Sequence, residues 1–345
     1  MEVHKEFTEW AVSRGVKING IAAHRFPGRG ISIIAKKSFE AGETLLSVPT
    51  TALRTVHTVP KTISRAIGKI TVNGLLSAEL ALDTSEHRAP WRVVLPTRED
   101  FLESVPLMWD SSLQALLPDA CQKLLSNQKR KVALDWAAVS KTYSKLSYDL
   151  YLYNWLLVNT RTFYFLDAKA KKQPPRDDCS ALSPFADYFN HAPHGCNVSF
   201  SATGYEITTE KHIPKGAEIY ISYGNHSNDF LLAEYGFILP SGTNDWDEIS
   251  LDAYIIPLFS PTQKKHLEDH GFLGKYVLDK ETVCYRAQVA LRILCVGLRK
   301  WERFVEGYGV ASDGEFGESR DADGNAEGHN SEEVGADWRV IAKCG

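Results

Sequence analysis

The sequence predicts an α+β fold, with strands at both ends of a helical block. Short apolar runs, separated by turns rich in Gly and Pro, occupy residues 26–49 and return at 197–224. Between them, from about residue 50 to 165, apolar residues fall at helical spacing, and a helical texture returns after 241. Strands and helices thus segregate along the chain instead of alternating, which argues against a doubly wound α/β chain.

The elements follow in order. Residues 5–15 predict a short amphipathic helix with Phe7, Trp10 and Ala11 on one side. Phe26-Pro27-Gly28-Arg29-Gly30 is a turn, and Ile31, Ile33 and Ala35 mark a mostly buried strand. Glu40-Ala41-Gly42-Glu43 turns the chain into a returning strand, Thr44 to Val48, stopped by Pro49. This corner has an echo. Lys37-Ser38-Phe39-Glu40-Ala41-Gly42 and Lys211-His212-Ile213-Pro214-Lys215-Gly216 share the order Lys, any residue, apolar, two turn residues, Gly. Each leads into an apolar strand. Two copies so far apart predict two similar corners, not a solenoid.

Residues 121–136 are amphipathic, and Leu146, Leu150, Tyr153 and Leu157 predict a buried helical stripe within Val139 to Val158. The run 168–180 is a polar loop containing Pro. Asn197 to Phe200 and Tyr205 to Thr209 predict a hairpin around Thr203-Gly204. Val283, Ala287, Leu291, Leu294, Leu298 and Trp301 predict one long helix over 281–304. From Glu306 to about Ala336 apolar residues are few, and disorder is expected.

Composition narrows the function classes. Of the 345 residues 43% are hydrophobic and 24% charged, and the formal net charge is -4. No basic run marks a nucleic-acid arm, and no apolar run reaches the ~18 residues that span a bilayer. Six cysteines without a CxxC pair argue against a zinc ribbon and suit a reducing compartment, cytoplasm or nucleus.

Two pieces carry the candidate chemistry: Asp187-Tyr188-Phe189-Asn190-His191, and Glu218 to Gly224 with its continuation through Asn228 to Tyr235-Gly236-Phe237. Strand alternation puts Ile219, Ile221 and Tyr223 on one face, with Tyr223 at the strand end. Taken alone, Tyr223 is more simply a core tyrosine, and Asn190-His191 a local backbone terminator. His191, His194 and Cys196 are too cramped for an ordinary zinc site. Gly28-Arg29-Gly30 is not a dinucleotide loop, since the sixth position is Ile33 and the turn opens a strand. Arg161, at the end of a helix beside Phe163, is suited to capping, to a carboxylate partner or to a ligand.

Taken together the pieces resemble the SET-domain methyltransferases, in the branch of the Rubisco large-subunit lysine methyltransferases and related non-histone enzymes. The matching residues are Gly28-Arg29-Gly30-Ile31, Asn159-Thr160-Arg161-Thr162-Phe163, Asp187-x-x-Asn190-His191, and Ser222-Tyr223-Gly224 through Ser227-Asn228 to Tyr235-Gly236-Phe237. Their order is that of the family. The Cys-rich flanks of many histone-directed members are absent. The resemblance implies small curved sheets, a pseudoknot, a helical insertion, a short helical C-terminal region and S-adenosyl-L-methionine as cofactor. It places Arg29, Gly30, Ile31, Arg161, Asp187, Asn190 and His191 at the cofactor, Tyr223 at the methyl group as the catalytic residue, and Phe163, Tyr235 and Phe237 along the substrate channel. No metal is implied.

The expected organisation is 1–49 and 179–240 as the two SET parts, 50–178 as the insertion, 241–305 as the helical C-terminal region and 306–345 as a disordered tail. The expected activity is protein-lysine N-methylation of a non-histone protein by a monomer, with neither nucleic acid nor membrane as partner. A protein-histidine acceptor and a non-catalytic SET-fold binding module are the alternatives. The deciding expectation is spatial: Tyr223 must lie near His191.

Overall fold

The first element is α1 (Glu2–Ser13), which forms because Phe7 and Ala11 fall one turn apart and bury together, with Trp10 half-buried beside them. The structure, a computed structural model, describes residues 2–27, 29–166, 175 and 178–307. It divides into two compact units, Met1–Trp246 and Asp247–Gly345.

In the first unit β1 (Lys17–Ile18), β2 (Ile21–Phe26), β3 (Gly30–Ala35) and β4 (Thr44–Pro49) follow α1 and precede the helical block. Five strands follow them: β5 (Thr162–Tyr164), β6 (Ser180–Leu182), β7 (Asn190–Ser201), β8 (Gly204–Thr208) and β9 (Glu218–Ile221). Seven strands join in the order β1-β4-β8-β7-β9-β3-β2, and β5 pairs with β6. Early and late strands interleave, so neither half of the sheet is complete without the other. The expected hairpin is β7–β8, closed at Ser201 opposite Gly204.

The two echoing corners meet. Phe39 and Ile213 exchange both backbone hydrogen bonds, at 2.9 and 3.0 Å. Gly42 N–H donates to the Thr209 carbonyl at 2.8 Å, and Gly216 N–H to the Ala35 carbonyl at the same distance. Thr209 N–H donates to Glu43 as Ala35 N–H donates to Ala217. Each partner pair maps onto the other by a constant offset in numbering, so a local twofold relates the corners. The ladders beyond keep the relation, with Thr44 opposite Thr208 and Glu218 opposite Ile34.

The helices between β4 and β5 are α2 (Lys61–Ile67), α3 (Val72–Leu82), α4 (Ala89–Arg92), α5 (Arg98–Ser104), α6 (Ser111–Gln114), α7 (Asp119–Thr142) and α8 (Tyr148–Arg161). In α7 the buried positions are Cys121, Leu125, Gln128, Val132, Asp135 and Val139, spaced alternately four and three apart. Its buried polar members find partners across the fold: Asp135 accepts from Thr71 Oγ1 at 2.8 Å, and the Gln128 amide nitrogen donates to the Ala233 carbonyl at 3.0 Å. The single stripe expected over Val139 to Val158 is not formed. The chain leaves α7 at Thr142, and Ser147 caps a new helix by accepting the Leu150 N–H. That cap rotates the buried face of α8 onto Tyr151, Trp155 and Val158, and leaves Leu150 44% exposed.

The last helix of the first unit is α9 (Asn228–Tyr235). In the second unit β10 (Glu248–Ser250) pairs with β11 (Val277–Asp279), among α10 (Asp252–Ile255), α11 (Pro261–Asp269), α12 (Tyr285–Val296) and α13 (Leu298–Val305). The one long helix expected over 281–304 is two. Gly297, at φ +75°, breaks it, and the turn lets Trp301 Nε1 donate to the Val289 carbonyl at 2.7 Å. Val283 bridges to Leu278 before the helix starts, and Leu294 faces outward. Most of the 168–180 loop, and the expected tail from 308 on, lie outside the described residues. No helix among the described residues is long and apolar enough to cross a membrane.

Candidate active site

The two pieces singled out in the sequence cross. β7 opens with Asn190 and His191, which run parallel to Tyr220 and Ile221 of β9. A few residues on, Gly195 passes over the same strand so closely that an added Cβ would stand 2.5 Å from the Ile221 backbone. The chain then leaves β9 and packs back on His191. The His191 ring lies 5.1 Å from Tyr223 and 6.0 Å from Phe237, centroid to centroid. The Asn190-His191 segment is thereby held between β9 and the Tyr223–Phe237 segment, which is the expected pseudoknot.

Tyr223 is fixed at both ends. Its backbone N–H donates to His191 Nδ1 at 3.0 Å, and its hydroxyl donates to the Phe189 carbonyl at 2.7 Å. Tyr235 lies against it at 5.1 Å and Phe237 at 6.3 Å, edge to face. Burial raises the Tyr223 hydroxyl above its ordinary range, with Arg161 opposing, and pushes Tyr235 up to about 12. Both phenols are neutral at physiological pH. The hydroxyl oxygen of Tyr223 donates one bond and keeps its lone pairs.

Tyr235 owes its place to the residue before it. The Glu234 carboxylate accepts from Gln128 Nε2 at 2.6 Å and from Asn159 Nδ2 at 3.0 Å, tying the end of α9 to α7 and α8. Arg161, the last residue of α8, donates from Nη1 to the Asp187 carbonyl at 2.7 Å and stands 4.0 Å from its Oδ2. Trp91 Nε1 donates to the same Oδ2 at 3.3 Å. Burial raises the Asp187 carboxyl, while Arg161 and Trp91 pull it down. Just before this segment Phe185, fully buried, holds φ at +69°. Phe7 of α1 packs against Phe185 and Tyr188 and supports that conformation.

Arg29 and Asn190 belong to a second group of bonds. Arg29 Nη1 lies 2.8 Å from Glu218 Oε2 and donates to the Tyr220 hydroxyl at 2.5 Å. Asn190 Nδ2 donates to Glu218 Oε1 at 3.1 Å. Ile31 is half-buried, and Gly30, at φ +73°, would carry an added Cβ into open space. Gly28 lies outside the described residues. Phe163 packs on Tyr205 at 5.6 Å. His194, weighed as a metal ligand, pairs instead with Asp245 at 2.7 Å.

The sequence reading missed Glu218, Tyr220, Trp91 and Glu234. For the first two a signal was present. Residues 218 and 220 share the strand face opposite Ile219 and Ile221, so a carboxylate and a phenol sit side by side there. Trp91 and Glu234 act through partners far away in sequence and carry no local mark.

His191 gives a pH prediction. Burial, then the neighbouring His226, lowers its pKa to about 4, against a hydrogen bond with the Ile221 backbone. The unfolded chain binds the proton at higher pH than the folded one. Stability from neutral His191 is therefore complete above about pH 6.5 and is lost as pH falls towards 4, by up to about 3 kcal/mol. Melting temperatures measured between pH 7 and 4 should show this fall, and His191→Gln should flatten it. A smaller slope should remain, because His4 and His226 are lowered in the same direction. An unchanged slope in the variant would exclude His191 as its source.

Comparison with known proteins converges on the same region. Residues 30–224 match the family model described as SET domain, and residues 247–319 that of the Ribosomal lysine N-methyltransferase 2 C-terminal domain. The Schizosaccharomyces pombe protein named Ribosomal lysine N-methyltransferase set11 is 30% identical over 292 residues, covering 83% of this chain and 74% of its own length. The Mus musculus SET domain-containing protein 4 is 27% identical over 337 residues, covering 88% and 75%. Among solved structures, Rubisco LSMT bound to sinefungin and monomethyllysine superposes with a TM-score of 0.66 at 16% identity, covering 89% and 74%, a likeness of fold. The match at 30–224 spans more than half of the chain and runs from Gly30 to Gly224, so it includes Asn190-His191 and Tyr223. The chain therefore belongs to the SET-domain family.

Proposed function

We propose that this protein transfers a methyl group from S-adenosylmethionine to the side-chain amine of a lysine in a non-histone protein, a ribosomal one being the best-supported choice. The observation that carries the reading is the crossing itself, which sets a neutral tyrosine hydroxyl within an aromatic wall of His191, Tyr235 and Phe237. It is an S-adenosylmethionine-dependent protein methyltransferase.

The residues present suit this cofactor. Arg161 Nε and Asp187 Oδ1 are both buried without a hydrogen-bond partner among the described residues, one a donor and one an acceptor. An amino-acid tail brings a carboxylate for the first and an amine for the second. Arg161 and Asp187 would hold that tail, and the Arg29–Ile31 turn, Asn190 and His191 the remainder. When bound, the cofactor supplies a methyl group on a positively charged sulfonium.

The chain's own contribution is alignment and environment. Orientation of the two reactants is worth roughly 7–11 kcal/mol. The Tyr223 oxygen and the carbonyls around it can hold electron-poor C–H groups. A lysine must lose its proton before it attacks, at a cost of about 4–5 kcal/mol at pH 7 from a reference pKa near 10.4. Tyr235 and Phe237 reduce that cost by desolvating the amine.

Relatives in fission and budding yeast are named ribosomal lysine N-methyltransferases, and those in rat, cattle and human N-lysine methyltransferase SETD6. These names, and the match at 247–319, support lysine over histidine and a ribosomal acceptor. Calorimetric titration with S-adenosylmethionine tests the enzyme reading. Folded protein that does not bind it would sink that reading. Labelled cofactor offered with ribosomal proteins and with histones, followed by mass spectrometry, tests the acceptor. Label confined to histones would refute the ribosomal choice.

A further inference from the structure

We infer that Glu218 is a positioning residue of the cofactor site, a single buried carboxylate that ties together the three segments forming it. The inference rests on the methyl-transfer reading and adds to it a residue that neither the motifs nor the family match singles out.

Three donors converge on this carboxylate. Arg29 comes from the β2–β3 turn, Asn190 from the start of β7, and Tyr220 from Glu218's own strand. Oε2 takes Arg29 at 2.8 Å and the Tyr220 hydroxyl at 2.7 Å, and Oε1 takes Asn190 at 3.1 Å. The Glu218 side chain is 6% exposed, whereas that of Arg29 is 53% exposed. The guanidinium lies over the Phe26 ring at 5.3 Å and also donates to the Tyr220 hydroxyl. It is thus held between ring, phenol and carboxylate.

The consequence is positional. The turn at residues 29–31 and the Asn190-His191 segment are the two backbone stretches assigned to the cofactor, and β9 delivers Tyr223. Glu218 bonds to all three. An exposed ion pair that served stability alone would contribute little. Here removal of the carboxylate charge frees Arg29 and weakens the acceptor for two further donors, so the turn loses its register against β7. Tyr223 keeps its own bonds to His191 and Phe189. The effect should therefore fall on cofactor affinity rather than on the chemical step.

The test is a double-mutant cycle with Glu218→Gln and Arg29→Ala, using calorimetry with S-adenosylmethionine and methyl transfer at saturating cofactor. Each single change should raise the Kd about tenfold and change kcat less than about threefold. The double variant should be no weaker than Glu218→Gln alone, since loss of the carboxylate charge already removes the tie to Arg29. Arg29→Lys should recover part of the affinity. Losses that multiply in the double variant would overturn the inference, as would a normal Kd with only a lower melting temperature. If Glu218→Gln fails to fold, Tyr220→Phe carries the test, since it removes a donor to the same Oε2 at a residue not assigned to the cofactor and should weaken affinity in the same direction. Wild-type protein that binds no cofactor would overturn both readings, whereas normal binding in the variants would overturn this one only.

Discussion

Tyr223→Phe is expected to slow methyl transfer by about 100-fold or more, the scale of losing one preorganised polar group at a reacting centre. Cofactor affinity should stay within about threefold. The argument is geometric. The variant keeps the ring contacts with His191, Tyr235 and Phe237, and it keeps the backbone N–H bond to His191 Nδ1. It loses the hydroxyl alone, and with it the bond to the Phe189 carbonyl. A side chain that merely filled space would tolerate the change with a modest loss of stability. Single-turnover rates with labelled cofactor, set beside calorimetric affinities, separate the two cases. A variant as fast as wild type would remove Tyr223 from the chemistry.

Arg54→Met should produce the largest loss of stability, about 3–5 kcal/mol. Arg54 is 4% exposed, bonds to Glu79, and reaches Asp83 at 3.0 Å. Arg88 closes the group, at 2.7 Å from Glu79 and 3.0 Å from Asp83. Asp83 is desolvated, yet Ser85, Arg88 and Arg54 hold its carboxyl well below the usual range. Without Arg54, the carboxylates of Glu79 on α3 and Asp83 just after it remain buried with only Arg88 bridging the two. Denaturant midpoints should fall accordingly. Arg98→Ala, which breaks an open pair with Asp149 at 3.7 Å, should cost less than about 1 kcal/mol. Equal losses in the two variants would contradict the argument from burial.

The parts of this molecule legible in sequence are those written in local signals. The hairpin at Thr203-Gly204, the two corners and the C-terminal helical texture depend on neighbours a few residues apart. The site was legible in its motifs, because Asp187 to His191 and Ser222 to Gly224 are short and ordered, and the structure brings His191 and Tyr223 together. What failed had physical reasons. Ser147 capped a new helix where apolar spacing ran straight through, and Gly297 interrupted a pattern whose period was otherwise intact. Glu218 went unread because Asn190 and Arg29 lie 28 and 189 positions away.

The twofold between the corners has a kinetic consequence. Phe39 and Ile213 close a loop of about 174 residues, at an entropic cost of roughly 5 kcal/mol before any strand pairing repays it. The helices from α2 to α8 are made of nearby contacts and can form on their own timescale. The sheet that carries Tyr223 cannot, because each corner is the template for the other. Refolding should therefore be biphasic, with helical signal returning first and cofactor binding last. The late phase should follow the slow regime of non-local topology, milliseconds to seconds.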